Sequence, residues 1–290
     1  HYNYDWTESQ LVRPEFLLGV DNFRIQDYRN SFNTFQLYSH YRLSIPNQQT
    51  KRLKVSGNYI LSIHDSNDDL VFSRKFMIYE NLVTPGISIK RSRDVSTIES
   101  MQTVDLEIHG GNQLNNPLQT VKALIIQNRN LNTAIKNLKP QYTIGDKLIY
   151  RYVNETAFPG GNEYLFFETK DVRTASLGVQ FIELKDIYHS YLFGNRSRAN
   201  LPYTFNPDIN GRFKITAIDR DDVSIEADYT QVHFTLDYPE LSNGERIYVY
   251  GNYNNYALED YNEMVFNYDT GRYETNFKFK QGFYNYKYVV

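Results

Sequence analysis

Apolar and polar residues alternate with a period of two in several parts of this chain. Residues 57–64 and 70–79 both follow this pattern, on either side of the polar turn 65–69. Because successive side chains of a strand point to opposite faces of a sheet, the alternation predicts a β-hairpin with one buried face. Helical periodicity is rare elsewhere, and short strand-like runs recur between turns rich in Gly, Asn, Asp and Pro. The sequence therefore predicts an all-β chain of consecutive antiparallel β-sandwiches, of the immunoglobulin-like or early-set type.

Two breaks in the pattern indicate domain boundaries. Residues 80–86 separate the finished hairpin from a new strand, and a second module ends near residues 226–230. We therefore expect modules at residues 1–83, 84–226 and 227–290. The chain opens without a methionine and closes within a strand-like run, so we also expect strands of the first module and part of the last one to lie outside it.

Composition narrows the possible functions. The chain has 26 Tyr, 18 Phe and one Trp, and its net charge is −3. A chain with this slightly negative net charge lacks the excess of Lys and Arg with which proteins bind nucleic acid. No apolar run approaches the roughly 18 residues of a membrane-spanning helix. The absence of cysteine excludes disulfides, thiolate metal sites and cysteine nucleophiles.

No motif for catalysis, metal binding or a cofactor emerges. The six histidines are dispersed, and the turn 65–69 lacks the Gly and Glu of a calcium loop, which would fall at Leu70 and Phe76. There is no phosphate-binding loop and no G-x-S-x-G elbow. We therefore expect a protein that is not an enzyme and that needs neither metal nor cofactor.

Several motifs in sequence order resemble the plug proteins of the type IX secretion system. The N-terminal ones are HYNYDW, EFLLG, SFNTFQLYSHYRLSIPN and SGNYILSIHDSNDDLVFSRKF, and the downstream ones are FPGGNEY and ADYTQVHFTL. A further segment, QNRNLNTA, has Asn130 and Leu131 where the family usually has Arg and Trp. The resemblance spans nearly the whole chain.

This resemblance implies a non-enzymatic plug that binds and occludes the outer-membrane translocon barrel of the type IX system. It implies a location in the periplasm, at the inner face of the outer membrane, without a span of its own. The partners implied are the barrel and its associated proteins. Trp6, in the irregular aromatic start, and Arg196 and Arg198, in a polar turn, are the candidate partner-binding residues.

The last module is similar to early-set folds and to the glycogen-binding modules of family 48. Tyr253 and Tyr256 are interspersed with asparagines, and Tyr256 occupies the position of a sugar-stacking tryptophan in that family. The alternative interpretation is therefore a multi-module carbohydrate-binding protein with Tyr253 and Tyr256 as its glycan-binding residues.

Overall fold

The computed structural model describes residues 1–161, 163–198, 201, 204, 206–242 and 244–290. Asn162, the fifth residue of the FPGGNEY motif, lies outside the described residues. Strands account for 43% of the residues and helices for 8%, which confirms the predicted all-β class built on antiparallel sheets. Its helices are single turns, α1 (Arg13–Phe16), α2 (Pro117–Thr120) and α3 (Val223–Glu226), with 3-10 turns at Gly111–Gln113, Leu131–Thr133, Asn252–Asn254 and Asp260–Asn262.

The strands of the first part of the chain are β1 (Leu17–Gly19), β2 (Tyr28–Asn30), β3 (Ser39–Tyr41), β4 (Thr50–Leu53), β5 (Gly57–His64), β6 (Leu70–Ile78), β7 (Thr84–Arg91), β8 (Met101–His109), β9 (Ala123–Ile125), β10 (Ile135–Leu138), β11 (Tyr142–Ile144), β12 (Lys147–Tyr150) and β13 (Ala157–Pro159). They continue with β14 (Leu165–Glu168), β15 (Val179–Leu184), β16 (Tyr188–Leu192), β17 (Asn195–Arg196), β18 (Phe213–Ile215), β19 (Tyr229–Asp237), β20 (Ile247–Tyr250), β21 (Glu263–Asn267), β22 (Arg272–Lys280) and β23 (Gly282–Val289).

The chain divides into two compact units. Unit 1 comprises residues 1–29 and 41–84, and unit 2 comprises residues 30–40 and 85–290. Strands from both sides of residue 227 join the largest sheet of unit 2. The division into three modules stays a prediction.

Unit 1 contains the hairpin that the alternation predicted. Strands β5 and β6 pair antiparallel from Gly57 opposite Ile78 to His64 opposite Leu70. Tyr59 is buried and stacks on the ring of Phe76, with ring centroids 5.4 Å apart. The prediction of a buried face on β6 is wrong, because almost every side chain of this strand is exposed. Within the described residues, no second layer covers β6. Alternation in the sequence shows which side chains share a face, but it does not show whether another layer packs on that face.

Unit 2 begins with a five-stranded sheet in the order β11-β12-β8-β13, with β7 also paired to β8. Strand β12 is the most deeply buried part of this sheet, and Leu148, Ile149 and Tyr150 are at most 1% exposed. In its partner β8, buried and exposed side chains alternate less strictly, and residues Val104 to Leu106 are all buried. A smaller two-stranded sheet of β9 and β10 follows.

The main core of unit 2 lies within a ten-stranded sheet of order β14-β23-β20-β21-β22-β19-β16-β15, to which β17 and β18 also pair. Strand β19 reads YTQVHFTLD, and every second residue from Thr230 to Leu236 is buried. Its partner β22 is antiparallel, whereas β16 and β17 both pair with β19 in parallel. These two parallel pairs depart from the purely antiparallel prediction, because period-two alternation does not encode the direction of the neighbouring strand.

Aromatic rings dominate this core. Phe167 lies at its centre, with Tyr284 stacked at 5.2 Å and Phe234 edge-on at 5.8 Å between ring centroids. The buried residues of the cluster are Phe167, Val179, Leu192, Val232, Phe234, Leu236, Ile247, Val249, Met264, Tyr273, Phe277, Phe279, Tyr284 and Tyr286.

Within the described part of the chain, no helix has the length and apolar character needed to cross a membrane.

Replacing Phe234 with Ala should lower the free energy of unfolding by about 3–5 kcal/mol, because the change leaves a cavity in the aromatic core. Phe234 is 1% exposed, whereas Val265 on β21 is 68% exposed and makes a suitable control. Val265→Ala should change stability by less than about 0.5 kcal/mol. Urea unfolding of both variants measures these differences, and equal effects would contradict the assignment of the core.

Candidate interaction surface

Residues 30–40, which we call the docked segment, belong to unit 2 although they are far from it in sequence. The backbone N–H of Phe32 donates to the carbonyl of Ile225 over 2.9 Å. The backbone N–H groups of Phe35 and Gln36 donate to the two carboxylate oxygens of Asp228, over 2.7 and 3.1 Å. The segment is therefore fixed through its backbone, so its side chains are not all required for attachment.

Asp228 is the centre of this arrangement. It is 4% exposed and stands at the start of β19, where its carboxylate also accepts a hydrogen bond from the N–H of Tyr229 at 2.8 Å. Its own N–H donates to the side-chain oxygen of Gln281, and the N–H of Gln281 donates back to its carbonyl, both over 2.8 Å. A buried carboxylate is costly unless N–H donors satisfy it, and three backbone donors do so here.

The ring of Tyr38 packs against the rest of unit 2. Its hydroxyl donates to the carbonyl of Ala227 over 2.8 Å, and burial raises the pKa of that hydroxyl. The ring meets Tyr229 edge-on, and the Nζ of Lys280 lies 4.1 Å from its centroid. Burial lowers the pKa of Lys280 to about 8, although nearby Asp222 opposes this effect.

Three other side chains of the docked segment face solvent. Phe32, Phe35 and Leu37 are 66%, 57% and 77% exposed. The Phe35 ring also meets Tyr188 edge-on at 5.4 Å, which limits its freedom while leaving its outer side open. The segment reads NSFNTFQLYSH and contains no Asp, Glu, Lys or Arg. The segment therefore has a backbone held by hydrogen bonds and three exposed apolar side chains.

A second aromatic feature lies on the outer face of β15, β16 and β19. Phe181, Tyr191 and His233 form a stack with centroid separations of 4.3 and 4.1 Å. The Nδ1 of His189 and the Nε2 of His233 are within hydrogen-bonding distance at 2.9 Å. Burial, reinforced by the neighbouring His189, lowers the pKa of His233 to about 4, so its imidazole is neutral at pH 7.

The arginines predicted to bind a partner differ in their surroundings. The Arg196 side chain is 82% exposed, with Asp237 3.5 Å away. Arg198 donates to Glu163 over 2.7 Å, and Thr204 and Asn206 donate to the same carboxylate oxygen. Burial alone would raise the pKa of Glu163, but these hydrogen bonds lower it to about 2. Arg198 thus has a local structural role, and the partner roles of both arginines stay predictions.

Trp6 lies in unit 1 on backbone with φ of 67°, a region that non-glycine residues seldom adopt. Its ring is half-buried, tilted against Tyr2, and the Nζ of Lys75 lies 4.8 Å from its centroid. This contact is a cation–π interaction at a partly exposed site. Its role in partner binding also stays a prediction.

The two tyrosines proposed to stack on sugar point inwards. Tyr256 is 1% exposed, and its hydroxyl donates to the carbonyl of Asn128 over 3.2 Å. Tyr253 packs against Phe279 and donates to the carbonyl of Val249 over 2.5 Å. Both rings are therefore taken up by internal contacts, which counts against a glycan-binding role for them.

Sequence reasoning did not identify Asp228 or the docked segment as a site. The one available signal was a carboxylate directly before the alternating strand β19, a position that is also compatible with an ordinary turn. Among the residues that the structure describes, no group of three or more His, Cys, Asp or Glu side chains is placed to hold a metal ion.

Replacing Asp228 with Asn should loosen the docked segment. The amide nitrogen cannot accept a hydrogen bond, so at least one of the three N–H donors loses its partner, at a cost of about 1–3 kcal/mol. We expect faster hydrogen exchange at the amides of Phe35 and Gln36, measured by NMR or mass spectrometry. The exposed Asp237→Asn variant should keep wild-type exchange there, and unchanged protection in Asp228→Asn would contradict the anchoring role.

His233 should make stability depend on pH. Its folded pKa of about 4 is below the ordinary 6.5, so the unfolded chain binds more protons between these values. The contribution of the neutral ring is complete above about pH 6.5 and is lost as the pH falls towards 4. Urea unfolding from pH 6.5 to 4 should therefore show a steeper loss in the wild type than in His233→Gln.

The exposed His64 provides the matching control for this experiment. The His64→Gln variant should follow the wild-type curve. Identical slopes for the wild type and His233→Gln would show that the stacked imidazole does not contribute to acid sensitivity.

Comparison with known proteins places the chain in a family. Residues 1–80 match the model of the type 9 secretion system plug protein 1st domain. The crystal structure of a hypothetical protein from Parabacteroides merdae ATCC 43184 is 33% identical, with a TM-score of 0.93 over 99% of this chain and 73% of that one. A search of curated proteins gives no match. Residues 1–80 thus belong to the type 9 secretion system plug protein family, and nearly the whole chain is similar to the solved hypothetical protein.

Proposed function

We propose that this protein is a non-enzymatic periplasmic plug that binds the outer-membrane translocon barrel of the type IX secretion system and occludes it. The observation that carries the proposal is the match of residues 1–80 to the first domain of the plug proteins. The protein would act at the inner face of the outer membrane, with the barrel and its associated proteins as partners. Occlusion needs binding and shape rather than a chemical reaction.

The physical properties of the chain support such a role. A specific interface buries about 800 Å² on each partner, and the described chain exposes 18457 Å². A standard interface would thus occupy a small part of its surface. The exposed, uncharged aromatic side of the docked segment has the composition typical of an interface centre. The net charge of −3 gives no support to nucleic acid as a partner.

The pore would open because the plug has different affinities for two states of the barrel. A plug binds the closed state of the barrel better than the state engaged by cargo, so cargo shifts the population without any nucleotide or metal. Moving the equilibrium from 1:99 to 99:1 takes about 5.5 kcal/mol of differential binding. Loss of a few well-packed contacts on one surface is sufficient for a change of this size.

Deleting the protein should make the cell envelope permeable to large antibiotics or dyes that an intact outer membrane excludes. The leak should require the barrel, so deleting both genes should restore exclusion. Uptake of a large fluorescent dye measures the effect in the two strains. The full-length protein should also co-purify the barrel from detergent-solubilised envelopes, and unchanged permeability without co-purification would refute the proposal.

A further inference from the structure

The docked segment has an exposed apolar side that the described chain leaves open. Phe32, Phe35 and Leu37 are each more than half exposed, although the segment between them is held at several points. Single apolar residues at a surface are ordinary, but three within six residues concentrate exposed apolar area in one short segment, and we call these three side chains the patch. Tyr38 is partly buried and Phe35 meets Tyr188 with one edge, whereas the side chains of Phe32 and Leu37 are the most exposed of the four.

The attachment of the segment reduces the cost of binding. Asp228 fixes the N–H groups of Phe35 and Gln36, and the carbonyl of Ile225 fixes that of Phe32. A loop ordered before association loses less conformational entropy when it meets a partner. The patch is thus preorganised, as is typical of side chains that contribute most of a binding energy.

Charge and sequence position narrow the choice of occupant. The segment itself contains no Lys or Arg, and the lysines that contact it are Lys278, which donates to Gln36 over 2.7 Å, and Lys280, which lies over the Tyr38 ring. Two lysines give far less charge than the basic clusters that bind nucleic acid or anionic lipid headgroups. Aromatic residues with few charges are typical of the centre of protein–protein interfaces. The whole segment lies within residues 1–80, the range that the plug-domain model matches.

We infer that Phe32, Phe35 and Leu37 of the docked segment enter an uncharged, apolar pocket on the translocon barrel and form the centre of the plug interface. This inference rests on the proposed function and adds the surface that performs it. Asp228 acts as a positioning residue, since it holds the segment but does not itself reach the surface.

The test compares two variants of the full-length protein in cells that make the barrel. In the first, Phe32→Asp and Leu37→Asp place charges at two exposed positions of the patch. In the second, Val95→Asp places a charge at a side chain that is 86% exposed outside the segment. We expect the double variant to bind the barrel at least about thirty-fold more weakly, as removal of hot-spot contacts does. The control should bind as the wild type does.

Each outcome decides the inference. If the wild type and the double variant retain the barrel equally, the inference is overturned and the proposed function stands. If even the wild type fails to retain the barrel, both are overturned. Light scattering excludes a second copy of the chain as the occupant if the wild type is monomeric. A dimer that the double variant abolishes without loss of barrel binding would also overturn the inference.

A photo-reactive phenylalanine analogue at position 37 provides a measurement that does not depend on destabilising changes. Leu37 is 77% exposed, so the replacement leaves the attachment of the segment intact. Irradiation of cells should cross-link this position to the barrel, whereas the same analogue at position 95 should not. Cross-linking from position 95 but not from position 37 would locate the interface elsewhere.

Discussion

The buried carboxylate of Asp228 makes the hydrogen bonds that attach the docked segment to the rest of unit 2. Its two oxygens hold Phe35 and Gln36, while its backbone is paired with Gln281. A buried carboxyl group is stable only where hydrogen-bond donors replace its water, and backbone N–H groups do that here. Asp228 directly precedes strand β19, and its side chain fixes a segment that is distant in sequence.

Tyrosines supply part of the core of unit 2. Tyr284 stacks on Phe167 within the core and donates its hydroxyl to the carbonyl of Lys280 over 2.6 Å. Tyr286 and Tyr288 both donate to the side-chain oxygen of Asn195 over 2.8 Å. In these three residues the ring supplies apolar area and the hydroxyl finds an acceptor, so their polar atoms are buried at little cost.

Attachment and exposure divide the docked segment into two functional sides. Its backbone and Tyr38 face unit 2, whereas Phe32 and Leu37 face solvent. The first side keeps the segment ordered, and the second leaves apolar side chains exposed without requiring the segment to reorganise. This division is compatible with the binding role proposed above.

The sequence by itself determined those strands whose pattern of apolar and polar residues is visible within a short stretch of the chain. Period-two alternation predicted the hairpin of β5 and β6, and the ordered motifs indicated the family. Only the tertiary structure decided that β6 lies exposed, that Tyr256 points inwards, and that Asp228 anchors residues 30–40. Alternation says which side chains share a face, but the layer covering that face comes from distant residues. A lone carboxylate likewise shows no sign of the N–H donors that folding brings to it.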